Sequence, residues 1–187
     1  MRYIKDEEFI RGDCPMTKEE VRILSIAKLE IGDGDTLLDV GAGTGSISIQ
    51  MCKCAAKGRV IAIEKEDKAL KVLKQNKEKF KADNLEIIER DASELDLKES
   101  FNGIFIGGSK GSIDKIIKIY AKKLKKDGIM VLNFITINNL YKALETLKEI
   151  NFETECIEVG VSRMKGKSYM MLSNNPIFIV TGKLMEV

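Results

Sequence analysis

Leu37–Ser46, LLDVGAGTGS, is the stretch whose reading decides the fold. Thr36, Leu37, Leu38 and Val40 make a short apolar run that reads as a buried strand. Gly41, Gly43 and Gly45 follow at alternate positions, and a helical segment opens near Ser46. A strand, a glycine-rich turn and a helix N-terminus together build a nucleotide-type cofactor site. Glycine admits the tight turn and lets backbone approach a ligand that a Cβ would exclude. The next apolar run, Arg59–Ile63, ends at Glu64. That carboxylate lies about 20 residues past the glycines, the spacing at which an acid accepts ribose hydroxyls.

Outward from this stretch, strand and helix patterns alternate. Helices are expected over about 17–29, 46–55, 67–80, 112–124 and 138–150, and strands over 36–40, 59–63, 85–89, 103–106 and 129–135. Thr17-Lys18-Glu19-Glu20 has the form of a capping box, with Val21, Leu24 and Ala27 or their neighbours on the buried face of the helix it opens. Five alternations predict an α/β fold with a parallel sheet wound on both faces. The end breaks the rhythm: 153–161 and 177–181 read as strands with no helix between them, so an antiparallel pair is expected at the sheet edge. Their link, residues 162–175, is longer than a tight hairpin needs and reads as a loop and a candidate substrate lid. Residues 1–16 read as a surface arm or as a flap over a pocket.

The 187 residues suffice for a single domain over 1–187, with an N-terminal arm and helix occupying 1–35. Hydrophobic residues make up 44% and charged residues 32%, which favours a folded soluble chain. A net charge of +2 does not advertise a nucleic-acid binder. No apolar run spans a bilayer, and Asp6, Glu7 and Glu8 do not suit a secretory signal, so no membrane partner and a cytoplasmic location are expected. Cys14, Cys52, Cys54 and Cys156 lack the spacing of a closed zinc site, and no metal is expected. Histidine is absent, which rules out Ser-His and Cys-His nucleophile pairs and leaves acid-base work to Asp, Glu, Lys, Tyr or Cys. Methyl transfer from a sulfonium needs little such help, because the methyl group arrives activated and the protein aligns it and excludes water.

A dinucleotide fingerprint wants Gly or Ala where this loop has Ser46. The alternating glycines behind Asp39 instead resemble motif I of the class I S-adenosylmethionine (SAM)-dependent methyltransferases, and five βα units with a terminal antiparallel strand resemble their seven-stranded, Rossmann-like sheet. FIRGDCPMTKEEVR at 9–22, GAGTGS at 41–46, FIGGS at 105–109, VSR at 161–163 and NPIFIVTG at 175–182 carry a more specific likeness over nearly the whole chain. They resemble the decarboxylating cobalt-precorrin C15-methyltransferases of anaerobic cobalamin synthesis.

The resemblance implies SAM bound by Thr17, by Gly41, Ala42, Gly43, Thr44 and Gly45, by Glu64 and by Ala92. Asp91 and Ala92 close the third strand, where adenine is expected at the mouth of an open sheet; Asp91 could equally cap a turn. A precorrin carries many carboxylates around a macrocycle, so Arg11, Lys110 and Arg163 are candidate partners for its side arms, with Arg suited to bidentate contacts. Tyr169 could pack on the ring, and Asn133 ends the fifth strand on the cofactor side. The family further implies a small-molecule tetrapyrrole substrate, loss of carbon dioxide from a ring acetate, and a homotetramer. A class I methyltransferase acting on RNA, protein or another small molecule is the alternative. Asn175-Pro176-Ile177-Phe178 does not favour it, since here Asn-Pro opens a strand.

Overall fold

The computed structural model describes residues 3–107 and 112–185. Chain order gives α1 (Glu19–Lys28), β1 (Thr36–Val40), α2 (Ser46–Cys54), β2 (Arg59–Glu64), α3 (Asp67–Phe80), β3 (Leu85–Glu89), β4 (Phe101–Ile106), α4 (Ile113–Ala121), β5 (Leu124–Phe134) and α5 (Ile137–Glu149). Four more strands follow: β6 (Phe152–Val159), β7 (Ser162–Lys165), β8 (Met170–Ser173) and β9 (Ile177–Leu184). Seven strands form one sheet in the order β3-β2-β1-β4-β5-β9-β6. Pairings from β3 through β5 are parallel, and β9 runs antiparallel to both β5 and β6. The expected terminal antiparallel pair is therefore present, with β6 at the outer edge.

The central strands are buried on both faces, which is why their sequences are near-continuous apolar runs. Leu37 of β1 joins the core under α1, α2 and α3, built with Val21, Ile26, Ile49 and Leu73. Leu38 and Val40 point the other way and pack with Ile113, Ile116, Ala143 and Leu147 of α4 and α5. Asp39 lies on the same face as Leu37, beneath α2, and is buried there.

Four local expectations are corrected. The helix α1 starts at Glu19 with Lys18 as N-cap and no side-chain cap, so Thr17 does not form a capping box. Thr17 instead gives its carbonyl to the guanidinium of Arg22, 2.8 Å from Nη1. The buried face of α1 is Val21, Arg22, Ser25 and Ile26, while Leu24 and Ala27 are exposed. Leu124 belongs to β5 and not to α4, because Phe101 pairs with it and donates its N–H to the Lys123 carbonyl. Finally, residues 162–175 are not a plain loop. β7 and β8 pair as a detached hairpin whose turn includes Gly166 and Tyr169, both at positive φ.

The N-terminal arm is tied in rather than lying loose on the surface. Ile4 and Phe9 are buried. The fully buried Arg22 donates to Asp6 Oδ1, Thr17 O and Ile4 O, and stacks over the Phe9 ring at 4.7 Å. Asn76 of α3 exchanges hydrogen bonds with Ile10 and donates to the Thr44 carbonyl, so one amide joins arm, α3 and glycine loop. Among the described residues no helix is long and apolar enough to cross a membrane.

Candidate active site

The glycine turn between β1 and α2 is built by three residues with positive φ, Gly41, Gly43 and Gly45. Gly45 N-caps α2 at φ 77°, and a Cβ there would stand 2.2 Å from Leu73 Cδ1. Position 45 thus requires glycine for two separate reasons. The N–H groups of Gly41 and Ala42 both bond the Ile63 carbonyl, which pins the turn to the end of β2.

Glu64 completes that anchor. Its Oε2 accepts the Gly43 N–H at 2.8 Å, and its Oε1 accepts the N–H groups of Lys65 and Glu66. A carboxylate offers about four lone-pair directions, so three backbone donors leave one acceptor direction, on Oε2. Glu64 therefore organises the loop as well as facing the cleft it lines.

Two cavities meet over this turn and share Pro15, Gly41, Gly43 and Gly107 in their walls. The first, about 380 Å³, lies over the start of α2 and is lined by Thr17, Asp39, Gly41, Ala42, Gly43, Thr44 and Asn133, with Phe134 and Ile135 beyond them. The second, about 470 Å³, lies over the C-terminal ends of β2 and β3, and takes in Glu64, Lys65, Arg90, Asp91 and Ala92. The crevice beyond the carboxyl ends of the strands is where ligands of open α/β sheets bind.

The electrostatics of the two halves differ. Asp39 Oδ2 accepts a hydrogen bond from the Ser48 hydroxyl, while Oδ1 is buried without a partner. Desolvation pushes the Asp39 carboxyl up to about 7; Ser48 opposes the shift and the Glu64 charge adds a little to it. The Thr44 hydroxyl beside it is also buried without a partner. In the other half, Asp91 is held well below the usual carboxylate range by Lys65, at 2.6 Å from Oδ2, and by the Ser93 N–H on Oδ1. That second bond caps the short turn Ala92–Glu94, so Asp91 does cap a turn while lining the cavity. The buried Tyr120 hydroxyl donates to the Ala92 carbonyl at 2.9 Å and fixes the floor there.

The structure thus gathers Thr17, Gly41–Thr44, Glu64, Asp91, Ala92 and Asn133 around one cleft, with Gly45 supporting it from the N-cap. Asn133 is held from α1, since its Nδ2 donates to Ser25 Oγ at 2.9 Å. Arg11, Arg163 and Tyr169 line neither cavity. Arg11 faces Asp6 at 3.8 Å, Arg163 is paired with Glu20, and Tyr169 is exposed on the hairpin turn. Lys110 lies outside the described residues. Sequence reasoning missed Pro15 and Met16 of the arm, Val159 and Val161 before the hairpin, and Asn174 and Asn175 after it, all of which line the first cavity. The flap reading of residues 1–16 was the available signal for the arm; Val161, Asn174 and Asn175 fell within the VSR and NPIFIVTG segments or the candidate lid over 162–175, and Val159 carried no signal of its own.

A glycine turn on β1, an acid ending β2, and a seven-stranded sheet with β9 antiparallel define a class I SAM-dependent methyltransferase. The sequence profile of the precorrin methyltransferase domain matches residues 8–180. This chain belongs to that family. A relative from Sulfolobus acidocaldarius, named "Probable cobalt-precorrin-6B C(15)-methyltransferase (decarboxylating)", is 42% identical over 186 residues, covering 96% of each chain. A crystal structure of a precorrin-6y C5,15-methyltransferase from Geobacter metallireducens superposes with a TM-score of 0.93 at 35% identity, covering 98% of this chain and 96% of that one. The precorrin 8W decarboxylase of Methanobacterium thermoautotrophicum superposes with a TM-score of 0.89 at 30% identity, covering 97% and 100%.

The residues present fit SAM. A zwitterionic amino-acid end needs an acceptor for its ammonium, and the unpartnered Oδ1 of Asp39 is one inside the first cavity. A ribose needs a hydroxyl acceptor, and Glu64 Oε2 has one direction left.

Proposed function

We propose that this protein transfers a methyl group from SAM to carbon 15 of cobalt-precorrin-6B and releases carbon dioxide from a ring acetate of the same substrate. The observation that carries this reading is coincidence in space: the profile match over residues 8–180 contains every residue that lines the two joined cavities.

SAM, when bound, supplies a methyl group already activated on a sulfonium. The chain's residues do the rest. Glu64 accepts a ribose hydroxyl, and Ala92 with Asp91 borders the adenine end. Asp39 takes the ammonium, with Thr17 and the turn Gly41–Gly45 around the methionine part. Asn133, Phe134 and Ile135 stand at the far side of the first cavity, where the reacting carbon has to reach the methyl group. Alignment and exclusion of water are the protein's main contribution to such a displacement. Decarboxylation asks little more of side chains, because the electrons left by departing carbon dioxide pass into the conjugated macrocycle.

The substrate is thus a small tetrapyrrole, and the working assembly is a homotetramer. Met164, Met170, Met171 and Leu172 support the assembly, since they are exposed together on a hairpin detached from the main sheet. Ile157 and Val159, by contrast, pack against the domain's own core.

Mass spectrometry of cobalt-precorrin-6B incubated with the protein and SAM tests the reaction. Gain of one methyl with loss of one carbon dioxide is expected. Methyl gain alone would remove the decarboxylation, and an unchanged substrate would remove the proposed substrate altogether.

A further inference from the structure

Ile135, Ile137 and Tyr141 are 73%, 71% and 65% exposed, which is unusual for side chains of this kind so close together. Ile135 follows the last residue of β5, Ile137 opens α5, and Tyr141 lies one turn further along the same helix face. Ile135 also lines the first cavity and a smaller one, about 180 Å³, which it shares with Asn133, Phe134 and Asn139. The exposed apolar strip is therefore continuous with the place where the methyl group is handed over. A molecule large enough to project from that cavity past Ile135 has to pass over it.

We propose that Ile135, Ile137 and Tyr141 form a shelf that carries one face of the tetrapyrrole macrocycle during the reaction. The inference rests on the proposed precorrin substrate. Its chemistry matches: a broad apolar ring face with polar arms around its edge needs an apolar platform with a polar border. Asn139 lines the smaller cavity beside Ile135, and Asn138 is exposed on the adjoining flank of α5, so amides border the apolar side chains. Lys142 adds no unpaired cation, because it is bonded to Asp114 at 2.7 Å. The side arms thus meet amides here, and the ring face supplies the contact area. Among the described residues no comparable strip adjoins the second cavity, whose rim carries Lys65, Lys68 and Arg90.

Ile137→Ser and Tyr141→Ser, singly and together, test the shelf. Both residues are exposed and line neither of the two joined cavities, so thermal midpoint and S-adenosylhomocysteine affinity should stay at wild-type values. KM for cobalt-precorrin-6B should rise about tenfold for each and about a hundredfold for the pair. Binding of uroporphyrin, a carboxylated macrocycle that cannot be methylated, followed by its Soret shift, should weaken in parallel. Unchanged KM and Soret titrations in the double variant would overturn the shelf. So would a double variant that keeps its KM but changes oligomeric state, since the strip would then face a second copy. If the wild type fails to methylate the precorrin yet shows a Soret shift that the variants lose, the shelf stands and the substrate is another macrocycle.

Discussion

Asp39→Asn separates the needs of the empty fold from those of the bound cofactor. The carboxyl of Asp39 titrates at about 7 in the fold against an ordinary 3.8, because burial penalises its charge. A raised folded-state value makes folding less favourable as pH climbs. The penalty is absent below the ordinary value, grows between the two and is complete above about 7. At roughly 1.4 kcal/mol for each pH unit between the two values, it reaches about 4 kcal/mol at high pH, and about 2.5 kcal/mol of it accrues between pH 5 and pH 8. Asparagine keeps an oxygen for the Ser48 hydroxyl and carries no charge to bury. Urea denaturation of the apoprotein at pH 5 and pH 8 should therefore show the variant gaining on wild type by about 2.5 kcal/mol across that range. Calorimetric titration with S-adenosylhomocysteine at pH 8 should show the opposite sense, with affinity reduced about tenfold or more as the ammonium loses its ionic partner. Wild-type affinity should also fall from pH 8 to pH 6 as Asp39 takes up a proton, and the variant's should not. Parallel stability curves for the two proteins, or an undiminished affinity in the variant, would refute the reasoning.

Three further outcomes follow from particular contacts. Gly45→Ala places a Cβ 2.2 Å from Leu73 Cδ1 on a residue at φ 77°, so urea denaturation should show a loss of about 2–4 kcal/mol, with cofactor affinity falling too. Glu64→Gln puts an NH2 group where three backbone N–H groups now find only oxygen, and S-adenosylhomocysteine affinity should drop at least about tenfold in calorimetry while the circular dichroism spectrum is kept. If the proposed homotetramer is built through the hairpin, Met164→Lys with Met171→Lys should give smaller species than wild type in light scattering, leaving S-adenosylhomocysteine binding intact.

The cofactor half of the cleft was legible in the sequence because its parts are local. Gly41, Gly43 and Gly45 need glycine for backbone reasons, and Glu64 ends the very next strand, so both fall within one βα unit and its successor. The alternation of strands and helices was legible for a similar reason, since buried parallel strands leave short apolar runs and amphipathic helices leave a helical period in the chain, whereas the order of the strands in the sheet leaves no local mark. What stayed hidden depends on partners far away. Thr17 looked like a cap because its neighbours have the composition of one, yet Arg22, buried against Asp6 and Phe9, draws the Thr17 carbonyl instead and moves the helix start to Glu19. The hairpin of β7 and β8 read as a loop because its strands are four residues each, with no buried face to impose alternation. Asp39 was visible as an acid before the glycines, but its unpartnered oxygen exists only once α2 has closed over it.

The cleft therefore divides into halves that obey different rules. Around Glu64 the donors and acceptors are mostly consumed by the protein itself, which presets the turn before any ligand arrives and lowers the ordering cost of binding. Toward Asn133 and Ile135 the walls are apolar and open outward, onto side chains that water covers in the free protein. A methyl transfer gains from this division. The donor must be held in one orientation to put its methyl group on the line of attack, whereas the acceptor is a large ring whose position is set by area and by a few arms at its edge. Rigidity belongs where one atom has to be aimed, and an exposed shelf belongs where a broad face has to land. Loss of Ile137 and Tyr141 should accordingly raise KM and leave kcat nearly unchanged at saturation, because a platform for the ring face holds ground state and transition state alike. A fall in kcat with unchanged KM would mean instead that α5 helps to aim the methyl group.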